Sequence, residues 1–141
     1  MSKVLEGIRV LDFGRYIAGP FCGTLLGDMG AEVIRIEKVD GSEDRFLSPV
    51  TENGDGAMFM QLARNKRGMT LNPMKPQGRE IVKKLVATAD VVVANLPPET
   101  LKAMALDYES LCSTKPDIIL TMISAFGRGG PYSNRVGFDG L

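Results

Sequence analysis

The feature that most constrains this chain is a strand–helix–strand pattern in LDFGRYIAGPFCGTLLGDMGAEVIRIE, the stretch from Leu11 to Glu37. A short apolar run, Ile8 to Phe13, is bounded by glycines and is typical of a strand covered on both faces. Apolar residues then recur at every fourth position, as in a helix with Pro20 in its first turn and Gly30 at its end. The alternating segment Glu32 to Glu37 predicts a second strand, parallel to the first.

The same alternation continues and predicts five parallel strands separated by helices. The further predicted strands are Met69 to Leu71, Val91 to Val93 and Asp117 to Ile123, and the further predicted helices are Gln77 to Ala89, Glu99 to Met104 and Tyr108 to Cys112. This pattern indicates an α/β fold, a Rossmann-like doubly wound parallel sheet. A length of 141 residues fits a single domain, 1–141.

Two segments outside this alternation, 39–56 and 125–141, are predicted to be loops. The first is longer than most loops inside compact domains, and such loops are commonly functional or mobile. The second directly follows the most apolar predicted strand. We therefore expect this chain to be the front part of something longer.

Composition narrows the possible functions. Basic and acidic residues number 17 each, so no net field attracts nucleic acid or an anionic membrane. No apolar run approaches the roughly 18 residues of a membrane span, and we expect a cytoplasmic protein. Histidine is absent, which removes the commonest general base and transition-metal ligand. Cys22 and Cys112 lack CxxC spacing and are expected to be buried free thiols, so we expect no metal. Because the balanced charge gives no attraction to nucleic acid or membrane, we expect a small-molecule partner.

The turn after the first strand contains three glycines spaced G-x4-G-x3-G: Gly14, Gly19 and Gly23. This turn presents helix N-terminal amides to anions, but its spacing is neither GxGxxG nor a Walker loop. Glu37 occupies the position at which an NAD enzyme binds a ribose hydroxyl, whereas Arg35 and Lys38 would suit a phosphorylated ribose. Close packing of the helix on the strand explains the glycines equally well.

Three other groups of residues have competing interpretations. The segment Asn65 to Arg67 favours a capped, solvated turn into the third strand over a binding site. Asn95 lies between a buried strand and two prolines, and a turn-forming role and a ligand-binding role are equally consistent with that position. The segment Met58 to Met60 is expected to pack in the core.

Four longer segments, taken in their order along the chain, match a pattern of sequence motifs. They are LEGIRVLDFGRYIAGPFCGTLLGDMGAEVIRIEK at 5–38, NKRGMTLN at 65–72, GREIVKKLVATADVVVANLPP at 78–98 and SAFGRGGPYSNRVGFDG at 124–140. In this order they resemble the family III CoA-transferases, which include formyl-CoA transferase, carnitine CoA-transferase and alpha-methylacyl-CoA racemase. The resemblance implies a Rossmann-like domain that holds CoA, as the N-terminal part of a larger fold that forms interlocked homodimers.

The resemblance also implies, position by position, which residues surround CoA. Arg15, Ile17 and Ala18 would line the site from the first turn, Lys38 and Lys102 would face phosphates, Leu71 would pack near the adenine, and Asn95 and Leu96 would contact the CoA chain. Basic side chains and helix-terminal amides are what three phosphate groups require.

The reaction is likewise implied by the resemblance. In the transferases an aspartate attacks the acyl-CoA thioester, forming an acyl-aspartyl anhydride and then an aspartyl-CoA thioester that passes CoA to a carboxylic acid. That aspartate would lie beyond Leu141, so no catalytic residue is expected in this chain, and Asp139 is interpreted as a loop residue. The racemases carry a histidine where this chain has Phe138, which favours transfer. The alternatives are an NAD(P)-binding oxidoreductase domain and a CoA-binding fragment with no turnover of its own.

Overall fold

A computed structural model describes residues 3–47 and 50–138, and in this part of the chain it contains one five-stranded sheet. The strands are β1 Arg9–Asp12, β2 Glu32–Glu37, β3 Lys66–Thr70, β4 Val91–Ala94 and β5 Ile119–Met122. Their order is β3-β2-β1-β4-β5, and every neighbouring pair is parallel. The predicted Rossmann-like doubly wound sheet is therefore confirmed. The strand order reverses between β1 and β4, and open sheets of this kind bind ligands at the carboxyl ends of such a pair.

The helices lie where the sequence predicts them, with ends shifted by up to three residues, except for one at Ala57–Leu62 that the sequence did not predict. They are α1 Ala18–Asp28, α2 Ala57–Leu62, α3 Pro76–Val86, α4 Pro98–Ala103 and α5 Tyr108–Thr114, with a 3-10 helix at Glu43–Phe46. The 3-10 helix lies inside the segment 39–56, which the sequence predicted as a plain loop. Among the described residues, no helix is both long enough and apolar enough to cross a membrane.

Both faces of the sheet are buried at its centre, as the apolar run of its first strand predicts. Leu11 of β1 belongs to the larger core cluster, together with Val82 and Val86 of α3. Val10, the preceding residue, belongs to a second cluster on the opposite face, against which Leu26 of α1 packs. Successive strand residues point to opposite faces, so this division shows that β1 is covered on both sides.

Helix α1 presents two of its glycines to the sheet, whereas three large apolar residues in or next to it face solvent. Phe21, Leu25 and Met29 are 45–46% exposed, whereas Gly23 and Gly27 are buried. The four-residue repeat thus predicted the helix correctly, although it lies on the outer face. At its glycines the helix lies close to the sheet, and a Cβ atom on Gly27 would lie 3.3 Å from a methyl group of Val33.

Two predictions about buried side chains are wrong. The segment Met58 to Met60 lies in α2, where Met60 is 52% exposed and Phe59 packs against guanidinium groups and not against the core. Cys22 and Cys112 are free thiols, as expected, but both are only partly buried.

Candidate functional site

The turn between β1 and α1 is built around a buried ion pair. Lys66 Nζ donates to Asp12 Oδ2 at 2.8 Å, and the two side chains are 1% and 0% exposed. The same ammonium group donates to the carbonyl of Pro20 at 2.6 Å, and Asp12 Oδ1 accepts the Gly14 N–H at 2.8 Å. Burial lowers the pKa of Lys66 from its ordinary value. The predicted solvated turn is thus wrong for Lys66, although Asn65 adopts the left-handed turn conformation, with φ 58°.

The glycines of this turn allow close packing around that pair. A Cβ atom on Gly14 would lie 2.7 Å from Asp12 Oδ1, and one on Gly23 would lie 2.9 Å from Asp12 Oδ2. A Cβ atom on Gly19 would lie 2.6 Å from the Cα atom of Gly14. Non-bonded heavy atoms do not approach so closely without displacement. Of the two explanations for the G-x4-G-x3-G spacing, the structure favours close packing.

Asn95 joins the ends of β1 and β4. Its Oδ1 atom accepts the Arg15 N–H at 2.7 Å, and its Nδ2 group donates to the Arg15 carbonyl at 2.8 Å. Both ends of the side-chain amide are therefore used to hold the first turn beside β4. This reciprocal pair fixes the backbone at the edge of the sheet where a ligand is expected.

A cluster of charged side chains fixes the segment that follows β2. Glu37 is 2% exposed and accepts hydrogen bonds from Arg45 at 2.7 and 2.8 Å and from the Ser42 N–H at 3.2 Å. Burial pushes the pKa of Glu37 upward, but these hydrogen bonds and nearby Arg35 outweigh it and hold the pKa below its ordinary value. The Arg35 guanidinium is equally buried and pairs with Asp44 at 2.6 Å.

This cluster engages two of the three residues on which the NAD(P) alternative depended. Glu37 is already occupied by Arg45 and the Ser42 N–H, so its carboxylate is not presented to a ribose hydroxyl. Arg35 is likewise committed to Asp44 and is not presented to a ribose phosphate.

A cavity of about 630 Å³ opens at the carboxyl ends of the strands. Arg15 and Ala18 reach it from the turn after β1, Lys38 from the end of β2, and Asn95 and Leu96 from the end of β4. The cavity therefore lies at the point where the strand order reverses, the usual ligand position in such sheets.

Two cations give this cavity a site for an anion. The Arg15 side chain is 11% exposed, its Nη1 group donates to the Gly14 carbonyl at 3.1 Å, and burial lowers its pKa from the ordinary value. Lys38 is more exposed and forms an ion pair with Glu43. Apolar lining from Ile17 and Leu96 completes the site. An anionic ligand with an apolar portion fits this combination.

Comparison with known proteins decides the family. The chain matches the model of CoA-transferase family III over residues 5–141. The chain belongs to CoA-transferase family III. It is 41% identical over 140 residues to the succinyl-CoA:glutarate CoA-transferase of Mus musculus, covering 99% of this chain and 32% of that protein. It is 40% identical over 136 residues to the succinyl-CoA–L-malate CoA-transferase beta subunit of Chloroflexus aurantiacus, covering 95% of this chain and 33% of that protein.

A solved structure agrees with this assignment to family III. The crystal structure of a CAIB/BAIF family protein from Brucella suis superposes with a TM-score of 0.91 at 39% identity, covering 99% of this chain and 38% of that chain. The chain thus spans about a third of the length of the curated relatives it matches. This coverage agrees with the prediction that it is part of a larger family III fold.

Six of the eight positions inferred from family III line this one cavity: Arg15, Ile17, Ala18, Lys38, Asn95 and Leu96. The other two do not. Leu71 is 9% exposed and packs in the larger core cluster, and Lys102 is an exposed residue of α4. Asp139 lies outside the described residues, whereas Phe138 lines the cavity.

Sequence reasoning missed part of this family III cavity. Glu43, Met58 and Thr100 line it, and none was predicted as a site residue. The only signal for Glu43 was the unusual length of the segment 39–56. Among residues 3–47 and 50–138, no group of three or more His, Cys, Asp or Glu side chains is placed to hold a metal ion.

Proposed function

We propose that this chain supplies the CoA-binding part of an enzyme that transfers CoA between an acyl-CoA and a carboxylic acid. The observation that carries the proposal is the convergence of Arg15, Lys38 and Asn95 on one cavity at the strand-order reversal, in a chain of family III. Relatives that are named as CoA-transferases of succinyl-CoA support the same reaction class.

Some side chains of the cavity would bind CoA through charge and others through apolar packing. Arg15 and Lys38 would contact phosphates of CoA, because cationic donors form the strongest hydrogen bonds to phosphate oxygens. Ile17 and Leu96 would pack against its apolar parts. Asn95 does not need to contact the ligand directly, since it already fixes the backbone of Arg15. The cavity is thereby largely preformed, which lowers the entropic cost of binding.

The remaining features of the enzyme belong to the same proposal. Residues 1–141 would form one CoA-binding domain of a cytoplasmic homodimer that uses no metal. The acid–CoA exchange requires an aspartate nucleophile, which the family resemblance assigns to a position outside these residues. We therefore expect the 141 residues alone to bind CoA without turnover.

Calorimetric titration of the folded chain tests this proposal, with NADP as the comparison ligand because it also carries a phosphorylated adenosine ribose. We expect CoA to bind more tightly than NADP. Lys38→Ala should weaken CoA binding about tenfold, the effect of losing one charged hydrogen bond of about 1.4 kcal/mol. Lys84→Ala, on the exposed face of α3, is the matched control and should leave affinity unchanged. Binding of NADP without binding of CoA would contradict the proposal.

A further inference from the structure

A carboxylate stands between the two cations of the cavity. Glu43 Oε1 accepts a hydrogen bond from Lys38 Nζ, and Glu43 Oε2 lies 3.9 Å from Arg15 Nε. Glu43 lines the cavity together with both cations. Its Oε2 atom is buried and has no hydrogen-bond partner among the described residues, which is an unfavourable state for a carboxylate oxygen.

The backbone that carries Glu43 is held on both sides. The preceding Ser42 and the following Asp44 are each fully buried, and Asp44 pairs with Arg35. The Ser42 N–H and the Arg45 side chain both donate to Glu37. The 3-10 helix is therefore fixed to the end of β2. Rotation of the side chain would move the Glu43 carboxylate away from the cations without moving this backbone.

The carboxylate is charged near neutral pH. Burial pushes the pKa of Glu43 upward, but Lys38, a backbone N–H and Arg15 outweigh burial and hold the pKa below its ordinary value. A phosphate that approaches Lys38 and Arg15 therefore meets an anion already in contact with them. Like charges at such distances repel, and a cation shared between two anions binds each less strongly.

We propose that Glu43 is an internal competitor for the phosphate of the ligand and sets how much affinity the cavity has for CoA. This inference rests on the proposed function, since it takes Lys38 and Arg15 as phosphate ligands. Binding would rotate the Glu43 carboxylate into solvent, which its 39% exposed side chain allows. The cavity would thereby discriminate against ligands whose anionic group is too weak to displace the carboxylate.

A role for Glu43 in aligning the two cations would predict the opposite change in affinity for CoA. If Glu43 instead aligned the cations for the ligand, removing its charge would weaken binding. The sign of the change in affinity therefore separates competition from alignment.

Titration of CoA into Glu43→Gln and into the unchanged chain measures this sign. We expect Glu43→Gln to bind CoA about three- to tenfold more tightly, in line with the roughly 1 kcal/mol of a partly exposed ion pair. Glu52→Gln removes one charge from the exposed part of the same segment and should leave affinity unchanged. In a Lys38→Met background, the gain from Glu43→Gln should shrink, because one of the contested cations is gone.

Each outcome decides a different claim. Unchanged or weaker CoA binding by a folded Glu43→Gln variant, while the unchanged chain binds CoA, would overturn competition and leave the proposed function standing. An equal gain in Glu52→Gln would also overturn it, because the effect would then be one of net charge. Absence of CoA binding by every folded variant would overturn the proposed function, and this inference with it. Circular dichroism and the urea midpoint establish that each variant is folded.

Discussion

Replacing Lys66 with methionine should lower the free energy of unfolding far more than replacing a lysine or arginine whose charge is exposed to solvent. The substitution keeps the unbranched apolar stem but removes the ammonium group that contacts Asp12 Oδ2 at 2.8 Å and the Pro20 carbonyl at 2.6 Å. Asp12 is then left fully buried without this cation, and among the residues that the structure describes only the Gly14 N–H still donates a hydrogen bond to its carboxylate. Removing one partner of a buried pair in this way costs about 3–5 kcal/mol.

A neighbouring residue provides the matched control. Arg67 also pairs with a carboxylate, Glu32, but its side chain is 77% exposed, and such pairs contribute about 0–1 kcal/mol. With a urea dependence of about 2 kcal/mol per molar, Lys66→Met should lower the unfolding midpoint by about 1.5–2.5 M, and Arg67→Met by less than about 0.5 M.

Urea unfolding followed by circular dichroism measures both variants. The double variant Asp12→Asn, Lys66→Met should recover at least half of the lost free energy of unfolding, because it leaves no buried unpaired charge. Equal, small effects of Lys66→Met and Arg67→Met would refute the reasoning, and so would a double variant less stable than Lys66→Met alone.

Two further predictions concern packing and pH. Gly19→Ala should cost about 1–3 kcal/mol of unfolding free energy despite the helix preference of alanine, because its Cβ atom would lie 2.6 Å from the Gly14 Cα atom and 2.8 Å from Asn95 Oδ1. Gly68→Ala is the control, because nothing lies within 4 Å of a Cβ atom at that position. Equal urea midpoints for the two variants would contradict the packing argument. The pKa of Glu37 lies below its ordinary 4.5, so the stability that Glu37 contributes is complete above that pH and is lost as the pH falls through the lower folded-state value. Glu37→Gln should therefore show a shallower loss of stability on acidification in urea titrations, and an unchanged slope would contradict the assignment.

Local patterns predicted the sheet, because each strand carries its own apolar signal and parallel strands are buried on both faces. The segment Glu32–Glu37 was predicted with its observed bounds. The start of β3 was predicted three residues late, because the strand begins with Lys66 and Arg67, and local patterns treat charged residues as turn residues.

What the sequence could not predict depends on contacts between distant residues. Asp12 and Lys66 are 54 residues apart, and no local pattern joins them. The 3-10 helix at Glu43–Phe46 is held by side chains of β2, so its segment looked like an unstructured loop. The site residues came from the family resemblance and not from periodicity. The resemblance could not predict Glu43, whose importance lies in its position between two cations.

Backbone amide chemical shifts of the isotope-labelled chain during a CoA titration test the central claim most directly. The account predicts saturable shifts confined to the cavity, at Arg15 to Ala18, at Lys38 and at Asn95 to Leu96. It also predicts unchanged shifts at Lys83 and Ser113, which line a separate groove of about 280 Å³ between α3 and α5. Shifts centred on that groove, or no saturable shifts at the cavity of the folded chain, would contradict the assignment of this cavity to CoA.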